Sequence, residues 1–179
     1  FRGPVWATGA TADGARLVMA DAARIQVADA RFLEGHISKN PNDRRQALPP
    51  LFDEEDAAQA ADRYQAVRYH QPVAVARGVT ATFLDAGHIL GSAIVRLDVE
   101  DAGRKRTIVF TGDLGRRNTP ILRDPEPAPD ADWLVCESTY GNRLHDDITH
   151  AQDELAQVVT GTAAKGGRGL IPAFAIGRT

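Results

Sequence analysis

Three short apolar runs in the middle of the chain each end abruptly in a polar side chain. The first run ends at Asp85-Ala-Gly-His88, the second at Thr111-Gly-Asp113, and the third at Cys136-Glu137. Runs of this length that are rich in β-branched and aromatic residues predict strands. A core strand has no structural need to finish on a chemically active side chain. The three endings therefore predict a functional site at strand ends.

The hydrophobic pattern predicts further elements on either side of these runs. Helical spacing of apolar residues, with capping residues before it, predicts helices, and alternation predicts strands. The predicted elements, in chain order, are a strand at 5–7, a helix at about 12–35 capped by Thr11 or Asp13, a short helix capped by Asp53, a strand at 66–69, a hairpin of 73–76 with 79–84, and a hairpin of 92–99 with 105–110.

The pattern changes after Glu137, where strand and helix alternate. Trp133–Cys136 predicts a buried strand, Thr149 or His150 begins a helix that ends near Lys165, and residues 169–172 predict another strand. A strand–helix–strand order implies a parallel pair. The predicted fold class is therefore α/β, with a boundary between two folding units near residues 137–146.

Composition and charge restrict the function only loosely. The chain has 179 residues, 43% of them apolar, and a net charge of −3. That length fits one domain or one and a part, and that charge gives no support to a dedicated nucleic-acid-binding domain, which is usually basic. Charge can be local, however, and a basic run lies near Asp113 in the sequence. Its members are Arg104, Lys105, Arg106, Arg116, Arg117 and Arg123, for which a solvated hairpin face is the alternative interpretation.

The remaining sequence features concern the compartment. Cys136 is the only cysteine, so no internal disulfide can form, which fits the cytoplasm. No apolar run approaches the roughly 20 residues that span a bilayer, and no signal peptide is visible, so no membrane partner is expected. The chain starts at Phe1 without methionine and ends at Thr179 in a predicted helix start, which predicts a segment of a longer protein.

His88 and Asp113 are the strongest candidates for chemistry. The hairpin between them brings the loop before residues 92–99 and the loop after residues 105–110 to the same end of the sheet. A neutral imidazole beside a carboxylate suits zinc or manganese, although a turn histidine and a turn-forming aspartate are the alternatives. A catalytic zinc needs about three protein ligands. The other histidines show no H-x-H or H-E-x-x-H spacing; they are His36, His70, His145 and His150.

Four longer motifs follow one another along the chain. They are Asp85-Ala-Gly-His-Ile-Leu-Gly-Ser-Ala93, Phe110-Thr-Gly-Asp-Leu-Gly115, Cys136-Glu-Ser-Thr-Tyr-Gly-Asn142 and Ile171-Pro-Ala-Phe-Ala-Ile-Gly-Arg-Thr179. In this order they resemble the metallo-β-lactamase/β-CASP family of RNA-processing nucleases, over the whole chain. The resemblance implies part of a metallo-β-lactamase αββα sandwich in residues 1–136, followed by the start of a β-CASP α/β insert domain in residues 137–179.

The resemblance also implies roles for individual residues. His88 matches the family's single histidine ligand of one metal, and Asp113 matches the catalytic aspartate that bridges two metals. Glu137 matches the acidic residue that opens the insert and helps to position the catalytic apparatus. Ser138 and Arg178 match positions on the substrate side of the cleft.

The implied cofactor is a pair of zinc ions, with manganese as the alternative, and the implied reaction is hydrolysis of single-stranded RNA held between the two domains. The family's H-x-H-x-D-H signature is expected upstream of Phe1, and its two later histidines downstream of Thr179. We therefore expect this chain alone to be inactive. A homodimer is compatible with the resemblance.

Two other functions stay open from the sequence. A hydrolase of a small ester or thioester with the same fold would need only the His88 and Asp113 motifs. Residues 137–140 and 171–179 favour the insert and therefore a nucleic-acid substrate. The third candidate is a catalytically silent RNA-binding or scaffold relative, and the presence of both His88 and Asp113 argues against it.

Overall fold

A computed structural model of the chain describes residues 2–39, 42, 46, 48–143, 150–174 and 176. The chain divides into two units, Phe1–Glu137 and Ser138–Thr179. Within the described residues, no helix is long and apolar enough to cross a membrane.

The first unit begins with two strands joined by two helices. β1 (Val5–Thr8) pairs in parallel with β2 (Tyr64–Val67), and α1 (Gly9–Ser38) and α2 (Glu54–Ala61) lie between them in the chain. Parallel strands need a long crossover connection of this kind. β2 begins two residues earlier than the predicted strand at 66–69.

α1 is longer at both ends than the predicted helix. Its N-cap is Thr8, whose hydroxyl accepts a hydrogen bond from the Thr11 N–H, so the prediction of a cap at Thr11 or Asp13 is wrong. A single glycine costs a helix only about 1 kcal/mol, and α1 continues through Gly35 to Ser38. The predicted cap of α2 is confirmed, because the Asp53 carboxylate accepts from the N–H groups of the first turn.

The rest of the first unit is a five-stranded sheet in the order β3-β4-β5-β6-β7. The first four strands are antiparallel neighbours, and β7 joins β6 in parallel. This arrangement confirms both predicted hairpins and the α/β class. The strands are β3 (Val73–Ala76), β4 (Val79–Asp85), β5 (Ala93–Asp101), β6 (Arg104–Phe110) and β7 (Trp133–Val135).

The core of the sheet lies at the end that carries the polar loops. Ala86, Ile94 and Val109 are fully buried, and Leu84 and Leu114 pack against them. Ala86 lies two residues before His88, and Leu114 directly follows Asp113. The packing that stabilises the sheet therefore also fixes the backbone next to His88 and Asp113.

The second unit contains the predicted helix but not the predicted strand. α3 spans Ala151–Ala164, and its C-cap is Lys165, where the sequence predicts the end of the helix. Residues 167–174 have no regular secondary structure, so the strand at 169–172 and its parallel pairing are wrong. Leu170 is 94% exposed, and a strand is stable only when neighbouring strands or a packed face support it.

Candidate metal centre

The β5–β6 hairpin brings the His88 and Asp113 side chains together. Val95 on β5 is registered opposite Phe110 on β6, so β5 begins and β6 ends at the same edge of the sheet. The loop of residues 86–92 (the His88 loop) and the loop of residues 111–116 (the Asp113 loop) meet at that edge. His88 Nε2 lies 3.9 Å from Asp113 Oδ2.

This distance fits two ligands of one metal ion better than a direct hydrogen bond. A hydrogen bond at 3.9 Å would be too long. Two ligand atoms on one zinc ion lie about 3.4 Å apart when the angle at zinc is tetrahedral. Their largest possible separation is about 4.1 Å. The side chains are 43% and 77% exposed for His88 and Asp113, so both are accessible. Small movements of exposed side chains would reach ideal geometry.

The pair is an incomplete donor set. A catalytic zinc takes about three protein ligands, and no group of three His, Cys, Asp or Glu side chains within the described part of the chain is placed to hold a metal. His88 and Asp113 therefore fit a metal as two ligands of a larger set. Their assignment as ligands remains a prediction.

Hydrogen bonds within the His88 loop fix the direction of the histidine. The Asp85 carboxylate accepts from the Gly87 N–H at 2.9 Å, an aspartate turn that closes two residues later. The Ser92 hydroxyl accepts from the N–H groups of His88 at 3.0 Å and Ile89 at 3.3 Å. The loop is therefore closed from both ends by side chains of its own motif.

The Asp113 loop is held by residues at the end of β7. The Glu137 carboxylate accepts from the Leu114 N–H at 2.6 Å, and the Glu137 N–H donates to the Thr111 hydroxyl at 3.2 Å. Thr111 is 2% exposed and its N–H donates to the Val135 carbonyl at 3.0 Å. Glu137 therefore binds residues on both sides of Asp113, which makes it a positioning residue in this structure.

The two loops are also in direct backbone contact. The Gly115 N–H donates to the Ala86 carbonyl at 2.8 Å. A Cβ atom built on Gly115 would overlap the carbonyl oxygen of Gly87. Only a glycine at residue 115 allows the Asp113 loop to approach the His88 loop this closely.

A cavity of about 330 Å³ lies beside the two candidate ligands. Its lining includes Trp6, Thr8, Phe83, His88 and Asp113. A larger cavity of about 930 Å³ lies against α1 and residues 48–55 and includes none of the predicted site residues. The cavity beside His88 and Asp113 gives a substrate group access to both side chains.

The sequence of the chain is similar to that of several named ribonucleases. Ribonuclease TTHA0252 from Thermus thermophilus is 33% identical over 178 residues, which cover 99% of this chain and 35% of that protein. Endoribonuclease YSH1 from Kluyveromyces lactis is 32% identical over 180 residues, 99% of this chain and 22% of that protein. Cleavage and polyadenylation specificity factor subunit 3-I from Arabidopsis thaliana is 39% identical over 129 residues, 72% of this chain and 18% of that protein.

The Thermus and Kluyveromyces relatives are named ribonucleases of one family, and both match the chain over 99% of its length. The chain belongs to the metallo-β-lactamase/β-CASP family. No family model matches it, so the assignment depends on these pairwise similarities. Nucleases of the metallo-β-lactamase/β-CASP family are typically metal-dependent. Because the chain spans only 35% and 22% of the Thermus and Kluyveromyces relatives, the activity of the whole protein is a proposal.

Two residues that contact the segment around His88 are not indicated by the sequence pattern. Glu126 Oε1 accepts from the Asp85 N–H at 2.8 Å and lies 3.2 Å from His70 Nε2. The Tyr69 hydroxyl donates to the Ser92 carbonyl at 2.9 Å. Burial, and then the charge of Asp85, raise the pKa of Tyr69, so the phenol keeps its proton and remains a donor.

The remaining predicted residues are less well placed. Ser138 belongs to the second unit, where its carbonyl accepts from the Gly141 N–H at 2.9 Å; its substrate contact stays a prediction. Arg178 lies outside the described residues.

Residues 104–106 lie at the opposite end of β6 from Asp113, about 20 Å away by the strand rise. Half of the basic run is therefore not at the site. There Lys105 pairs with Glu100.

Proposed function

We propose that the intact protein hydrolyses phosphodiester bonds of single-stranded RNA with a zinc centre to which His88 and Asp113 contribute. The 3.9 Å approach of His88 Nε2 to Asp113 Oδ2 carries this proposal. It is supported by relatives whose names include ribonuclease and endoribonuclease. Manganese is the alternative metal. We assign residues 1–136 to the metallo-β-lactamase domain and residues 137–179 to the start of the β-CASP insert.

Each side chain has a separate task in this mechanism. Asp113 and His88 would be the ligands that this part of the chain supplies to the metals, and the Glu137 carboxylate keeps the Asp113 loop in place through the Leu114 N–H. When bound, the metals supply positive charge against the phosphoryl oxygens of an in-line displacement. Water adds to phosphorus, the ester P–O bond breaks, and the water proton passes to the leaving oxygen. The products are a phosphate monoester and an alcohol.

The roles of the substrate-facing residues are proposed from their positions in the family motifs. Ser138 and Arg178 would contact the RNA backbone, as a side-chain hydroxyl and a guanidinium do with phosphate. Location in the cytoplasm and assembly as a homodimer stay predictions.

The test compares substrates and metals in the intact protein. A 5′-labelled single-stranded RNA should be cut, a chelator should abolish cleavage, and added zinc or manganese should restore it. Hydrolysis of a small ester or thioester in place of RNA would favour the competing hydrolase function. Binding of RNA without cleavage in the presence of metal would favour the silent relative.

A further inference from the structure

Glu126 binds both main-chain groups of Asp85. Its carboxylate oxygen Oε1 accepts from the Asp85 N–H at 2.8 Å, and its own N–H donates to the Asp85 carbonyl at 2.9 Å. The two residues are 41 positions apart in the chain, and Glu126 lies in the proline-rich segment of residues 117–132. This two-point contact fixes the proline-rich segment to the start of the His88 loop.

The same carboxylate oxygen also lies 3.2 Å from His70 Nε2. His70 itself is held by its N–H, which donates to the Phe83 carbonyl at 2.8 Å. The Glu126 side chain is 29% exposed, against 62% for His70. The carboxylate is therefore the more buried partner, and its oxygen Oε1 lies close to nitrogen atoms of two separate segments.

A short series of contacts connects Glu126 to His88. The Asp85 carboxylate accepts from the Gly87 N–H at 2.9 Å, and His88 is the next residue. A Cβ atom on Gly87 would lie 2.6 Å from the Pro125 backbone nitrogen, so the residue before Glu126 packs directly against the turn. A shift of Glu126 would therefore move the backbone that aims the imidazole.

We propose that Glu126 is a positioning residue for the His88 loop, which sets metal affinity through Asp85 and Gly87. The inference rests on the proposed function, in which His88 is a metal ligand. Partners outside the ligand shell change metal affinity by about 10- to 100-fold when removed. Glu126 acts through backbone rather than on the imidazole directly, so we expect the lower end of that range.

Zinc affinity of the intact protein tests the proposal. Metal-stripped protein is titrated with zinc against a chromophoric chelator, for wild type, Glu126→Ala, Glu126→Gln and a control, Glu100→Ala. Glu100 lies at the far end of β5 and pairs with Lys105 at 3.8 Å. We expect zinc binding about tenfold weaker in Glu126→Ala and unchanged in Glu100→Ala. In Glu126→Gln the amide oxygen can still accept from the Asp85 N–H, so its affinity should stay within about twofold of wild type.

Amide hydrogen exchange supplies a readout that needs no metal. The Asp85 and Gly87 amides should exchange faster in Glu126→Ala and at the wild-type rate in Glu126→Gln. If Glu126→Ala does not fold, Glu126→Asp takes its place, because a carboxylate shorter by one methylene cannot reach the Asp85 N–H without a backbone shift. It should then show the weaker zinc binding.

Three results would overturn the proposal. One is wild-type zinc affinity in folded Glu126→Ala, and another is an affinity in Glu126→Gln as weak as in Glu126→Ala. The third is a wild-type protein without zinc affinity, which would also overturn the proposed function. The wild-type titration therefore distinguishes a protein that lacks the proposed metal centre from one in which Glu126 does not position the His88 loop.

Discussion

The Glu137 carboxylate accepts a hydrogen bond from the Leu114 N–H at 2.6 Å. Leu114 directly follows Asp113 and packs against the fully buried cluster of Ala86, Ile94 and Val109. A carboxylate at the end of β7 is thus bonded to the backbone that carries the proposed bridging aspartate. This bond connects the last strand of the sheet to the candidate metal centre.

Substitution of Glu137 should distinguish its effect on the position of the Asp113 loop from the retention of the metal. In Glu137→Gln the amide oxygen can still accept from the Leu114 N–H, but a hydrogen bond to a neutral acceptor is about half as strong as one to a carboxylate. We expect Glu137→Gln to keep its metal and to lose rate, and Glu137→Ala to lose both. RNA cleavage and zinc content of the intact protein measure the two effects.

Glu34, exposed on α1, supplies the matched control for that substitution. Glu34→Gln makes the same chemical change away from both loops and should behave as wild type. Equal cleavage rates in Glu137→Ala and wild type would remove Glu137 from the mechanism.

Substitution of Gly115 should separate the two loops. Its new Cβ would overlap the Gly87 carbonyl oxygen and lie 2.7 Å from the His88 N–H nitrogen, so the backbones must move apart. We expect Gly115→Ala to cost about 1–3 kcal/mol of stability, as overpacked sites do, and to weaken zinc binding. Chemical denaturation and zinc titration of the intact protein measure these changes.

Gly14 in α1 gives the matched control, because nothing lies within 4 Å of a Cβ built there. Gly14→Ala should be neutral, or stabilising by up to about 1 kcal/mol, because alanine favours the helix. Full stability in Gly115→Ala would show that the loops are not in contact as described.

Much of this arrangement follows from local sequence. Apolar and polar residues alternate over Val95–Glu100, and the tight turn that leads to Arg104–Phe110 leaves a single register. Once that hairpin forms, the residues flanking its open end must meet, so the approach of His88 to Asp113 could be predicted. The Asp85–Gly87 turn and the Ser92 hydroxyl bonds also lie within one motif, and turn chemistry could have predicted them.

The contacts of Glu126 could not be predicted in the same way. Its bond to Asp85 spans 41 residues and starts from a segment without regular structure, so no periodicity points to it. The strand predicted at 169–172 failed for a related reason. Leu170 and Ile171 have strand-like composition, but composition supplies no neighbouring strand, and both residues are exposed.

The Asp98 carboxylate on β5 contributes stability that depends on pH. Burial alone would raise the pKa of Asp98, but hydrogen bonds from Arg96 and Thr107 and the charge of Arg96 outweigh it and leave the pKa below its usual value. The contacts are 2.9 Å from Arg96 Nη2 and 2.8 Å from Thr107 Oγ1. A lowered carboxyl pKa adds stability above the unfolded pKa of about 3.9 and loses it as pH falls through the folded value.

Asp98→Asn should therefore be less stable than wild type at pH 7, and the difference should shrink as the pH falls below about 3.9. Because the Asp98 side chain is 43% exposed, the difference at pH 7 should stay below about 1 kcal/mol. Thermal midpoints between pH 3 and 7 measure it. Asp29→Asn, on the exposed surface of α1, should show no such dependence, and a pH-independent gap for Asp98→Asn would contradict the ion-pair account.

The central claim is that Asp113 and His88 hold the metal that RNA cleavage requires. The most direct test measures bound zinc by plasma mass spectrometry in the intact wild type and in Asp113→Ala, with cleavage of single-stranded RNA followed in the same preparations. Because the Asp113 side chain is 77% exposed, the variant should fold normally. We predict roughly two zinc ions in the wild type, fewer in Asp113→Ala, and no cleavage by the variant. Wild-type zinc content and wild-type turnover in folded Asp113→Ala would contradict the account.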